Sequence, residues 1–199
     1  MKTETTIGKQ LSRLAFGLLV IGTTSAQAVE VFGFKLGQPL AIPECEKVSG
    51  HTFGAETDPC FEKYPYERYT EGGPNIIYLH FPNGQIPKMI HGTHIECMLI
   101  EGKLEAIKFS TSGLKDIERV LAALTAKYGK PLSIERPVVQ NAMGAQYEDL
   151  DAQWDLPNLF VRFRGLSESI TSGWVIIRTD KGRAEYSRRY KPKPDPRPL

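Results

Sequence analysis

The clearest patterning in the chain begins at His94. The run HIECMLI, the pair Glu101-Gly102 and the run KLEAIKF predict a β-hairpin, with glycine supplying positive φ at the turn. Leu114, Ile117, Leu121, Leu124 and Tyr128 then recur at three- and four-residue steps, which places them on one face of a helix. Thr111 or Ser112 is positioned to cap that helix; Gly129 stops it and Pro131 forbids its continuation. Residues 150–156 read as a strand and Pro157-Asn158 as a turn. Leu159, Val161 and Phe163 alternate with Phe160, Arg162 and Arg164, which marks a strand with one buried face. GWVIIRT at 173–179 predicts another strand, Asp180-Lys181-Gly182 a turn, and 183–190 a short last helix. The order β-β-α-β-β-β, with one amphipathic stripe to bury, implies an α+β fold: an antiparallel sheet with the helix packed on one face.

The part before His94 is less regular. EVFGFKL at 30–36 reads as one strand broken by Gly37 and Pro39, and IIYLHF at 76–81 as another. Between them, 41–75 is rich in proline, glycine and polar residues, a long loop that calls for a staple or a function. Cys45 and Cys60 enclose part of it, and Cys97 sits in the apolar run ECMLI. The expected bridge is Cys45–Cys60, with Cys97 a small core residue; as one of three cysteines it is left free or pairs between chains.

That expectation depends on compartment. Residues 1–28 have the parts of a secretory signal peptide: Lys2, Lys9 and Arg13, the apolar run LAFGLLVI, and Ser25-Ala26-Gln27-Ala28, which places cleavage before Val29. Eight apolar residues are too few to span a hydrocarbon core, which takes roughly 20 helical residues. The reading is a periplasmic or secreted protein with no transmembrane anchor in the mature chain. Removing 28 of 199 residues leaves 171, one domain's length, divided into a domain at 29–190 and a tail at 191–199 with proline at every second position from Pro192 to Pro198. The signal holds three bases and one acid, so the mature chain has 22 of each. Five bases and one acid lie in 188–199, which leaves the body acidic and argues against a nucleic-acid surface.

EGKLEAIKFSTSG, the helix ending in Lys127-Tyr128-Gly129-Lys130-Pro131, and the strand followed by LGQPL resemble small exported bacterial domains of unknown function. They are also distantly similar to the β-lactamase inhibitor protein fold and to the lipoprotein component of the outer-membrane β-barrel assembly machine. The resemblance implies helices on one face of an antiparallel sheet and action by binding proteins. The lipid-attachment cysteine of the assembly lipoprotein is missing here.

Candidate chemistry falls into three groups. Phe160 flanked by Arg162 and Arg164 has the composition of a protein-binding hot spot, and the same arginines could instead form cross-strand pairs with Glu105 or Asp151. Tyr64, Tyr66 and Tyr69, beside Cys60, would supply rigid amphipathic contact area. His80, His91, His94 and Glu96 offer imidazole and carboxylate for zinc or copper. The acidic run Glu148, Asp149, Asp151, Asp155 lacks the glycine and closing glutamate of a calcium loop. Trp154 and Trp174 read as core residues. No motif for a cofactor or a nucleophile elbow is present. The chain therefore reads as a non-catalytic binding protein with an inhibitor, immunity or envelope accessory role, whose partner is another envelope or secreted protein. The alternative is a small hydrolase or metal-binding protein using the His80, His91 and His94 region.

Overall fold

The computed structural model describes residues 29–48, 51–52, 57–63, 74–82, 84–92, 95–140, 143–167 and 169–189. The segment read as a signal peptide, the proline tail, Tyr64, Tyr66, Tyr69 and His94 lie outside them. The structure is α+β. Fourteen strands are described: β1 (Glu30–Val31), β2 (Phe34–Lys35), β3 (Lys47–Val48), β4 (His51–Thr52), β5 (Cys60–Lys63), β6 (Pro74–His80), β7 (Ile95–Ile100), β8 (Lys103–Thr111), β9 (Ser133–Glu135), β10 (Val138–Gln140), β11 (Gln146–Glu148), β12 (Asp151–Leu156), β13 (Leu159–Arg164) and β14 (Gly173–Thr179). Helix α1 (Ile117–Tyr128) follows β8 through a 3-10 turn at Gly113–Lys115, and α2 (Asp180–Arg189) follows β14 directly.

Eight strands form one sheet in the order β5-β6-β7-β8-β14-β13-β12-β9, with every neighbouring pair antiparallel. Alternation sets its two faces. On the inner face Ile107, Phe109, Val161, Phe163, Val175 and Ile177 are buried together with Ile117, Val120 and Leu124 of α1 and with Val31 and Leu36 near the N-terminus. Trp154 joins this core, and its indole N–H donates to the Gly129 carbonyl at 2.8 Å. Cys97 is fully buried there, and burial pushes its thiol pKa well up. A smaller cluster of Ile76, Met98, Ile100 and Ala106 lies against Tyr186 of α2.

Several boundaries differ from the sequence reading. The single strand expected over 30–36 is a hairpin, β1 pairing with β2 around Phe32 at φ 54° and Gly33 at φ 86°. Alternation carries no mark of that turn, because Phe32 is a bulky residue in a region that bulky residues rarely adopt. The helix begins later than expected: Leu114 lies in the 3-10 turn, 46% exposed, and Asp116 occupies the N-cap position without a capping hydrogen bond from its side chain. Neither Thr111 nor Ser112 caps α1. Residues 180–182, expected as a turn, are the first turn of α2. The segment 41–75 contains β3, β4 and β5, and β9, β10 and β11 were not anticipated.

Cys45 and Cys60 form a disulfide across a sequence separation of 15. It fastens the 43–45 segment alongside β5, where Cys45 N–H donates to the Phe61 carbonyl at 2.8 Å and Phe61 N–H to the Pro43 carbonyl at 3.0 Å, with a parallel bridge at Glu44 and Phe61.

Candidate functional site

The outer face of the sheet carries most of the polar chemistry, and the strand register fixes its layout. One cross-strand row runs Glu62, Tyr78, Glu96, Lys108, Ile176, Arg162, Gln153, Ser133. The row on one side of it runs Ile76, Met98, Ala106, Arg178, Phe160, Asp155, and the row on the other side includes Ser110, Trp174, Arg164, Asp151. Helix α2 packs over the second row. Arg178 is 7% exposed, its guanidinium 4.1 Å from the Tyr186 ring centre and 5.3 Å from that of Phe160. Arg183 of α2 covers Phe160 at 4.5 Å. Burial lowers the Arg178 pKa, and the nearby cations Arg162 and Arg183 push it the same way.

The remainder of the face is open. A groove of about 510 Å³ lies between Trp174 and Tyr186, with Ile176, Lys108, Arg164, Ser110, Ser167, Ser172 and Gly173 completing its lining. Trp174 is half-buried on this face rather than in the core, with Arg162 5.7 Å from its ring centre. Its position follows from parity: Val175 and Ile177 point inward, so Trp174 and Ile176 point outward.

Of the residues singled out in the sequence, Phe160 is buried beneath α2, whereas Arg162 and Arg164 stay partly exposed beside the groove. Arg162 forms a two-pronged pair with Asp151, at 3.0 and 2.5 Å. Arg164 contacts Asp149 at 3.3 Å, not Glu105 or Asp151, and Asp149 also accepts the backbone N–H groups of Leu150 and Leu166. The whole acidic run is paired this way: Glu148 meets Arg136 at 2.9 Å and Asp155 meets Arg183 at 3.1 Å. Its carboxylates are arginine partners, which gives the run a structural explanation.

The histidines have different surroundings. His80 Nε2 lies 3.3 Å from Glu62 on the adjacent strand, and Glu96 pairs with Lys108 at 3.5 Å. His91 is exposed in a loop, with Nδ1 3.3 Å from Ser112 Oγ. Among the described residues no three His, Cys, Asp or Glu side chains gather as a metal-binding group. The Ser112–His91 contact joins residues 21 apart, a pairing no local motif signals. The acid near it is Asp116, whose carboxyl is held below the usual range by Arg119 and by the Ser112 hydroxyl. That acid sits on the serine side, whereas an orienting acid would sit on the far nitrogen of the histidine.

No protein-family model matches the chain, and no curated protein or solved structure is significantly similar to it.

Proposed function

We propose that this is an exported, non-catalytic binding protein of the bacterial envelope that receives an acidic segment of another envelope or secreted protein on the open part of its outer sheet face. The observation that supports the reading is the groove itself. Two aromatic rings, Trp174 and Tyr186, flank an apolar floor at Ile176, and the charged residues in its lining, Lys108 and Arg164, are both cations. Aromatic and arginine side chains at a desolvated centre carry most of the energy in protein interfaces, and cations favour a partner that presents carboxylates. In this reading α1, laid on the inner face by its apolar stripe, stiffens the sheet from behind. Such roles fit an inhibitor, an immunity factor or an envelope accessory protein, as the resemblance to the β-lactamase inhibitor protein fold implies.

The test is affinity capture from a periplasmic extract with the mature protein and with a Trp174→Ala, Lys108→Ala double variant of unchanged melting temperature. The expected result is an acidic partner that elutes with salt from the parent protein and is not retained by the variant. Equal retention by both, or none by the parent, would overturn the assignment of this face. A hydrolase reading would rest on the Ser112–His91 contact. Ester turnover that disappears in Ser112→Ala would favour it.

A further inference from the structure

A second, unrelated pocket lies at the end of the sheet beneath the N-terminal hairpin. It has a volume of about 320 Å³, and Val29, Leu36, Gly37, Gln38, Glu105, Leu159, Thr179, Asp180 and Lys181 line it with the 157–158 turn. Glu105 is unusual among them. It is only 4% exposed, and the carboxylate accepts a hydrogen bond from the Thr179 hydroxyl. A register shift in the β7–β8 pairing sets Leu104 opposite Leu99 and Ala106 opposite Met98, so Glu105 has no cross-strand partner in β7 and departs from the alternation. No cation among the described residues lies within ion-pair distance of Glu105 or of Asp180, while the pocket's lysine, Lys181, is bound to Glu101 at 2.6 Å. A buried carboxylate without a counter-ion is costly, and a chain normally supplies one.

We infer that the pocket is an ammonium-binding site whose ligand is the chain's own processed N-terminus, the α-ammonium of Val29 pairing with Glu105. In the precursor the Val29 nitrogen is a neutral amide. Hydrolysis of the Ala28–Val29 bond by signal peptidase consumes one water, leaves a carboxylate on Ala28 and creates an ammonium on Val29. The new cation appears in a pocket whose two ionisable residues without an ion pair among the described residues, Glu105 and Asp180, are both acids. Val29 is already held there: its carbonyl accepts from Leu36 N–H at 2.9 Å, and Gly37 N–H donates to the carbonyl of Leu104, next to Glu105. Lys127 of α1 fixes the neighbouring residue, donating to the Glu30 carbonyl at 2.6 Å, and does not line the pocket. Export would then complete the fold's electrostatics, because only the cleaved chain carries the counter-ion.

The inference rests on the processing half of the reading above and not on the docking face. The experiment uses protein secreted from the full precursor, in four forms: the parent, Glu105→Gln, an insertion of Ser-Gly between Ala28 and Val29, and the insertion combined with Glu105→Gln. Intact mass of the secreted parent should correspond to a start at Val29; any other start overturns the inference together with the processing assignment. Denaturant unfolding of the four forms should show that Glu105→Gln and the insertion couple by about tenfold or more in the unfolding constant. Independent effects would overturn the ion pair alone. Should Glu105→Gln fail to fold, titration of the isotopically labelled α-amine in the parent decides the matter. It should bind its proton at least about tenfold more tightly than an ordinary α-amine of pKa ~7.7–8.0, and an ordinary or lower value overturns the pairing.

Discussion

The two faces of the eight-stranded sheet are built from the same strands by opposite means. On β13, Val161 and Phe163 point inward and are fully buried among aliphatic side chains, whereas Arg162 and Arg164, one position away, point outward to Asp151 and Asp149. The inner face is held by apolar area removed from water, at roughly 25 cal/mol per Å². The outer face buries only the smaller cluster of Ile76, Met98, Ile100 and Ala106 under α2 and is otherwise held by ion pairs and arginine–aromatic stacks, whose net contribution is small because charges lose hydration as they pair. Stability should therefore reside mainly on the inner face and polar surface chemistry on the outer one.

The sharpest test of that contrast lies within β13. Phe163→Ala should cost about 3–5 kcal/mol and Arg162→Ala about 1 kcal/mol or less, measured by denaturant unfolding. Equal losses would mean that the outer face carries the fold as well.

Next in size is the staple. Replacing Cys45 and Cys60 together by serine should cost about 3 kcal/mol, the loop-closure value for a separation of this size. Cys97 should resist thiol reagents in the native protein, because it is fully buried on the inner face and its thiol pKa is pushed up. Fast native labelling of Cys97 would show that the inner core opens.

A smaller effect concerns Tyr128, whose hydroxyl is buried where α1 meets the inner face. Among the described residues it has no hydrogen-bond partner, and its pKa is pushed up from about 10 to about 12 by burial. A raised folded-state pKa gives a contribution that is complete below pH ~10 and lost as pH rises toward about 12. Melting temperature should therefore fall over that window, and Tyr128→Phe should remove part of the fall. An identical alkaline profile for the two would place Tyr128 in water.

The smallest expected number is the Arg162–Asp151 coupling. A double-mutant cycle should return about 0.2–1 kcal/mol. A larger value would make this pair an exception to the outer-face pattern.

How much of this was readable depended on which force dominates locally. The β7–β8 hairpin, the body of α1, β12–β13 and β14 follow strong period-2 or period-3.6 patterns, and their places in the chain were legible. The disulfide was legible from cysteine spacing together with the compartment the sequence led us to expect. The strands β9, β10 and β11 have three residues each and largely exposed side chains, so they leave little hydrophobic period to read. The start of α2 was hidden because Gly182 argues against a helix. The structure explains that glycine: a Cβ there would lie 2.2 Å from the Glu105 carbonyl oxygen, so the residue permits helix and sheet to touch. In the candidate site, Arg162 and Arg164 were visible in the alternation. Trp174 and Tyr186 were not seen as a pair, because only the docking of α2 brings the second to the first.

The 43–45 segment has a consequence for the chain's behaviour in company. β5 is the last strand of the sheet, and a terminal strand invites another chain to continue the ladder. Here both backbone hydrogen-bonding groups of Phe61 are already taken by Pro43 and Cys45, and the disulfide keeps them so. In the reduced protein the bond is open and that border is free to template self-association. The disulfide then acts as a guard against polymerisation, and a reduced preparation should lose solubility before it loses secondary structure.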